Sequence, residues 1–79
     1  MTKHILKIEE RWFDRVASGE KTSELRSCED RDFQVGDTLL LRVQNEREKQ
    51  LEVKVTHVLR EAEGLEKGYA ILSFKKVSQ

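Results

Sequence analysis

The stretch Leu51-Glu52-Val53-Lys54-Val55-Thr56-His57-Val58-Leu59-Arg60 alternates apolar and polar residues more regularly than any other part of the chain. Successive side chains of a strand point to opposite faces, so this period of two marks a long, half-buried strand. Leu51, Val53, Val55, His57 and Leu59 are expected on its inner face, with His57 a hydrogen-bonded core histidine. Val53 and Val55 are β-branched and suit a pleated surface. Upstream, Thr38-Leu39-Leu40-Leu41-Arg42-Val43 reads as a strand buried on much of both faces, and residues 44–50 as a polar hairpin connection longer than the tightest turn. Downstream, residues 61–68 form a charged loop between Gly64 and Gly68, with room for a short helical turn. Residues 69–74 are a last strand before a basic, frayed tail.

The N-terminal half supplies the remaining elements. His4, Leu6 and Ile8 alternate with Ile5 and Lys7 in a first strand over residues 3–8. Trp12, Phe13, Val16 and Ala17 have helical spacing, so residues 9–18 read as a short helix with one apolar face. Acidic Glu9 and Glu10 suit its first turn, and Gly19 its left-handed end. Trp12 and Phe13 are assigned to core packing, each contributing about 2–3 kcal/mol on burial. A second strand follows over residues 22–27. Residues 28–37 form a polar loop anchored by Phe33 and Val35, with Gly36-Asp37 turning into the next strand. The expected fold is mainly β with one or two short helices (α+β). About five strands form a small closed or partly closed barrel, with a helix packed beside it.

Composition narrows the function classes. Seventy-nine residues imply one domain, spanning 1–79. Such a chain buries roughly 60% of its unfolded surface. Fifteen basic and fifteen acidic residues cancel. Nucleic-acid contact must therefore come from a local patch rather than from net charge. No apolar run is long enough to span a membrane, and no signal peptide is expected. One cysteine, Cys28, excludes an internal disulfide and a cysteine-built zinc site. A cytoplasmic location is expected, with no metal, no cofactor and a monomer or weak dimer.

The chemistry concentrates in Gly19-Glu20-Lys21-Thr22-Ser23-Glu24-Leu25-Arg26. With Leu25 turned to the core, Thr22, Glu24 and Arg26 share the opposite face beside Lys21, with Lys7 as a further candidate. Two cations around an anion on a rigid strand suit a polar, partly anionic ligand. A lysine with a carboxylate three residues on is placed to pair with it, which favours binding over covalent chemistry. Lys21, at the turn, is expected to reach solvent and contribute little to folding, whereas the Arg26 stem packs along the sheet.

Gly19-x-Lys21-x-x-Glu24-x-Arg26 resembles the G-x-K-x-x-E-x-R signature of ASCH domains, a branch of the PUA-like superfamily. His4-x-Leu6-Lys7, Asp30-Arg31-Asp32-Phe33-Gln34-Val35-Gly36-Asp37 and Gly68-Tyr69-x-Ile71-Leu72 resemble a small stand-alone bacterial and phage branch of it. The resemblance implies a PUA-like barrel with a cleft where the signature strand meets the helix. It also implies RNA or a nucleotide-like small molecule as partner, held by Lys21, Glu24 and Arg26, with Lys7 entering through the smaller branch. Stacking on bases would fall to Arg26, Arg42 or Tyr69. One ASCH-like branch hydrolyses the acyl amide of acetylated cytidine with a lysine, a threonine three residues later and a distant glutamate. Lys21 matches that lysine, but Glu24 stands where that branch has threonine, and Thr22 is out of register. A small amidohydrolase acting on an acylated nucleoside is the alternative, and a protein-interaction domain the third reading.

Overall fold

The computed structural model describes residues 1–77. Its elements are β1 (Lys3–Ile8), α1 (Glu10–Ser18), β2 (Ser23–Ser27), β3 (Thr38–Val43), β4 (Glu46–Leu59) and β5 (Tyr69–Lys76). The five strands form one sheet in the order β1-β3-β4-β5-β2, curled into a half-barrel beside the single short helix. All neighbours are antiparallel except β1 and β3, which run parallel with Leu6 opposite Leu41. A parallel pair needs a long crossover. Here the connection is α1, β2 and the loop before β3, so the helix is delivered to the inside of the curl.

The core follows the period-two pattern. Leu39, Leu41, Val53, Ala70 and Leu72 are fully buried on the concave face, and Phe13 and Val16 of α1 pack over them. Phe33 is buried from the loop, but Val35 is 60% exposed, so only one of the two expected anchors enters the core. At the N-terminal end of β3 the carboxylate of Asp37 is a hub. It accepts hydrogen bonds from the Thr2 N–H (3.1 Å), the Gln34 N–H (3.0 Å) and the His4 ring at Nε2 (2.9 Å). His4 and Asp37 are both buried, and the Phe33 ring lies against His4 with centroids 4.7 Å apart. Burial pushes the Asp37 carboxyl up, but the bonds from His4, Thr2 and Gln34 outweigh it and hold the group below its ordinary 3.8.

Two bulges change the sequence reading. Val55 pairs with Phe74 and His57 with Ser73, leaving Thr56 as an extra residue. The alternation reverses there. His57 is consequently exposed rather than in the core, and Val58 packs inward instead. At the β3–β4 hairpin the turn is only Gln44-Asn45, with Asn45 at φ 66°. Val43 pairs with Glu46 and Arg42 with Gln50, so residues 47–49 bulge out of a strand expected to be a loop. From that bulge Lys49 reaches Glu10 (2.6 Å) and Asp14 (3.2 Å) on the helix. Residues 61–68 contain two hydrogen-bonded turns and no helical one. Lys75 and Lys76, expected in the frayed tail, belong to β5, and Lys76 Nζ donates to Ala17 O at the helix end (2.6 Å). Residues 78–79 of that tail lie outside the described residues. Among the described residues no helix is long and apolar enough to cross a membrane.

The edge strand β1 is joined to β2 and to the loop that follows it by side chains rather than by a backbone ladder. Arg26 Nη2 donates to Lys7 O, and Arg31 Nη1 donates to Ile5 O (3.2 Å). Alternate carbonyls on the free edge of β1 thus each receive a guanidinium.

Replacing the hub carboxylate tests its importance. Asp37→Ala leaves two part-buried N–H groups and the buried His4 ring without their acceptor and is expected to cost about 2–4 kcal/mol in a denaturant melt. Because the folded Asp37 lies below its ordinary 3.8, its contribution is complete above that value and is lost as pH falls through the lower folded one. Melts from pH 7 to pH 2 should show wild type losing more stability in acid than Asp37→Asn. Equal acid sensitivity would remove Asp37 from that role.

Candidate functional site

The site begins at the end of α1. Gly19 takes φ 87°, its N–H donates to Val16 O, and the Lys21 N–H donates back to Arg15 O (2.9 Å). The left-handed turn is natural for glycine, and the second bond pins the backbone of Lys21 to the helix end. The chain then enters β2, whose register on β5 decides which side chains face the cleft. Glu24 lies opposite Leu72 and Arg26 opposite Ala70, both fully buried, while Leu25 lies opposite Ile71. Glu24 and Arg26 therefore occupy concave-face positions, and Leu25 is 55% exposed on the convex face. The expectation that Leu25 enters the core is reversed. β2 is an edge strand, and its concave face meets a cleft instead of a second apolar layer, so charged residues can occupy it.

These positions bring three predicted residues into one ionic group. Glu24 Oε1 lies 3.1 Å from Lys21 Nζ, and Oε2 accepts from Arg26 Nη2 (2.9 Å) and Nε (3.1 Å). The Glu24 side chain is only 12% exposed and commits one oxygen to each cation. Lys21 Nζ also donates to Ser23 O, and its side chain is 23% exposed, so it is tied in rather than free in solvent. Of the three ammonium donors one goes to Ser23 O, and the Glu24 contact is an ion pair. Arg26 uses Nε and Nη2 on Glu24 and Lys7 O, and its Nη1 has no partner among the described residues. The group thus leaves ammonium donor capacity and the Arg26 Nη1 edge without a partner among the described residues.

A groove of about 530 Å³ opens over this group, lined by Lys7, Ile8, Glu9, Trp12, Lys21, Glu24, Leu25 and Arg26. Lys7 is exposed at its rim. Thr22 is exposed and outside the lining; its carbonyl accepts from the Phe74 N–H, so its part is in the backbone. Tyr69 lines separate depressions by the 61–68 loop. Trp12, assigned to the core, both packs against it and walls the groove. Arg11, Arg15 and Lys21 lie 4.7, 5.0 and 5.8 Å from its ring centre, within cation–π range. The signal for this role was its position one turn before Val16 at the edge of the apolar stripe, facing the β2 motif. Among the described residues, no cluster of His, Cys, Asp and Glu could hold a metal ion.

Because Glu24 neutralises two half-buried cations, its loss should be felt in folding. Glu24→Ala is expected to lower stability by about 1–3 kcal/mol, whereas Leu25→Ser, on the convex face, should stay within about 0.5 kcal/mol. Paired denaturant melts decide it. A larger cost at Leu25 than at Glu24 would mean that the β2 register is wrong.

Comparison with known proteins bears on the fold. The crystal structure of hypothetical protein PH0355 matches with a TM-score of 0.66 and 14% identity, covering 98% of this chain and 100% of that one. At that identity the likeness is one of fold alone. No curated protein matches the sequence. The family model described as a domain of unknown function, DUF3850, matches residues 3–74, which includes β1 to β4, the helix, the Lys21–Glu24–Arg26 group and all but the last two residues of β5, and the chain belongs to that family.

Proposed function

We propose that the groove over Lys21, Glu24 and Arg26 binds RNA or a nucleotide-like ligand. The observation that carries this reading is the ionic group itself. One carboxylate holds a lysine and an arginine in fixed geometry, and each retains unused donors facing a groove of about 530 Å³. Held this way, the Arg26 guanidinium is a planar fork suited to a phosphate or a base edge. Lys21 adds a point charge beside it, and Lys7 an exposed one at the rim. Trp12 supplies an aromatic wall, which nucleobases favour. The ASCH resemblance of the Gly19–Arg26 signature supports the same ligand class and assigns it to the same strand. A cytoplasmic setting goes with such a ligand. The motif carries glutamate where the amidohydrolase branch has threonine, and both Glu24 oxygens are engaged with cations, so binding is proposed and acyl transfer is not.

Trp12 is the sole tryptophan, so its emission reports on the groove directly. Titration with short RNAs and with nucleoside monophosphates should quench or shift that emission, and the affinity should weaken as salt rises. Arg26→Ala should reduce affinity about tenfold or more, the scale of a lost charged hydrogen bond. Unchanged affinity in Arg26→Ala, or no response to either ligand at low salt, would remove this function.

A further inference from the structure

A second groove adjoins the first on the other side of β1. It measures about 320 Å³ and lies over the β1–β3 pair and the β3–β4 hairpin, lined among others by Ile5, Lys7, Arg42, Asn45, Glu46 and Arg47. Lys7 and Arg42 are directly paired in the parallel register. Their neighbours Leu6 and Leu41 point into the core, so both cations project from the convex face. Like charges side by side on adjacent strands repel. Yet neither these two nor Arg47 lies within 4 Å of an acid among the described residues. Lys3, at the far end of the same strand face, is neutralised by Glu52 at 2.7 Å. Lys54, opposite Thr38 on the same face, also has no acid within 4 Å, but Lys7, Arg42 and Arg47 are gathered in one groove beside the cleft. Glu46 is the one acid in the lining, against three cations. The floor includes Ile5, which is 51% exposed, and the rim carries the Asn45 amide. A basic rim, an apolar floor and an amide suit a nucleotide unit. Lys7 lines both grooves.

Resting on the nucleotide-binding reading of the cleft, we infer that the ligand is a single-stranded nucleic acid running from the cleft over Lys7 onto Arg42 and Arg47. A free mononucleotide fills the cleft and leaves the convex groove empty. A duplex is too stiff to turn from the concave face to the convex one around a single strand, whereas a single strand can. The outer groove thus extends the site by binding the phosphates of neighbouring nucleotides.

The experiment compares a random-sequence RNA octamer with the four nucleoside monophosphates, by fluorescence anisotropy and Trp12 emission at several salt concentrations. The proteins are wild type, the double variant R42Q/R47Q and Arg26→Ala. Arg42 and Arg47 are exposed, so R42Q/R47Q should keep the wild-type circular dichroism and melt. The octamer should bind wild type more tightly than any monophosphate. In R42Q/R47Q its affinity should fall about tenfold at low salt. The slope of log K against log salt should fall by about 1.4, at ~0.7 per single-strand phosphate contact. Monophosphate affinity should not change. An octamer that binds no tighter than a monophosphate, or is indifferent to R42Q/R47Q, overturns the extended track. Retained sensitivity to Arg26→Ala would then show that the cleft reading stands without it. Octamer binding that responds to R42Q/R47Q but not to Arg26→Ala overturns the continuity and removes the cleft instead. Binding to anionic lipid vesicles but not to RNA overturns both.

Discussion

The parallel pairing of β1 with β3 depends on one buried carboxylate. Asp37 sits where β3 begins and takes hydrogen bonds from Thr2, from the His4 side chain and from Gln34. No turn connects β1 and β3, and paired residues such as Lys3 and Thr38 are 35 positions apart in sequence. Closing so long a loop costs entropy that local contacts cannot offset. The Asp37 bonds form at the start of the shared register, and the fully buried pair Leu39–Val53 and the Leu6–Leu41 contact lie just beyond. If the N-terminal strand detached, Lys7 and the Lys7 carbonyl would leave the seam, and Arg26 would lose its anchor. The groove over Lys21, Glu24 and Arg26 is thus held in place from the opposite end of the strand that borders it.

The site shows how an edge strand can carry charge on its inner face. Interior positions of a small barrel normally take apolar side chains, since burying an unpaired charge is costly. Here the small, buried Ala70 lies opposite Arg26. Glu24 then balances both cations, and the Ser23 and Lys7 carbonyls take the surplus donors. The orientation of both cations is thus fixed by contacts within the chain itself.

Much of the fold is legible in the sequence because period-two alternation survives wherever one face is buried. β1 and residues 51–55 of β4 are read directly from it, and Gly19 marks the helix end. Alternation fails where a bulge inserts a residue, so Thr56 sends His57 outward although its neighbours in the sequence place it inward. Residues 46–50 were illegible for another reason. They are largely polar because much of that strand segment meets water, and a polar strand looks like a loop. At the site, Lys21, Glu24 and Arg26 come together as their spacing implies, but the argument from Leu25 has the faces reversed. A lone leucine on an edge strand does not identify the core side. Trp12 and the His4–Asp37 pair depend on contacts between distant elements, which spacing within one segment does not encode.

The arginine stitching between β1 and β2 has a consequence for association. A bare sheet edge offers alternating carbonyl and N–H groups on which another chain can add a strand. On β1 the outward carbonyls of Ile5 and Lys7 are occupied by Arg31 and Arg26. A guanidinium keeps its charge at every pH a cell reaches. The edge therefore presents cations in place of open acceptors, and an incoming strand would have to displace both. In a chain without proline and with no net charge, this side-chain cover keeps the free edge of β1 from acting as a template for aggregation.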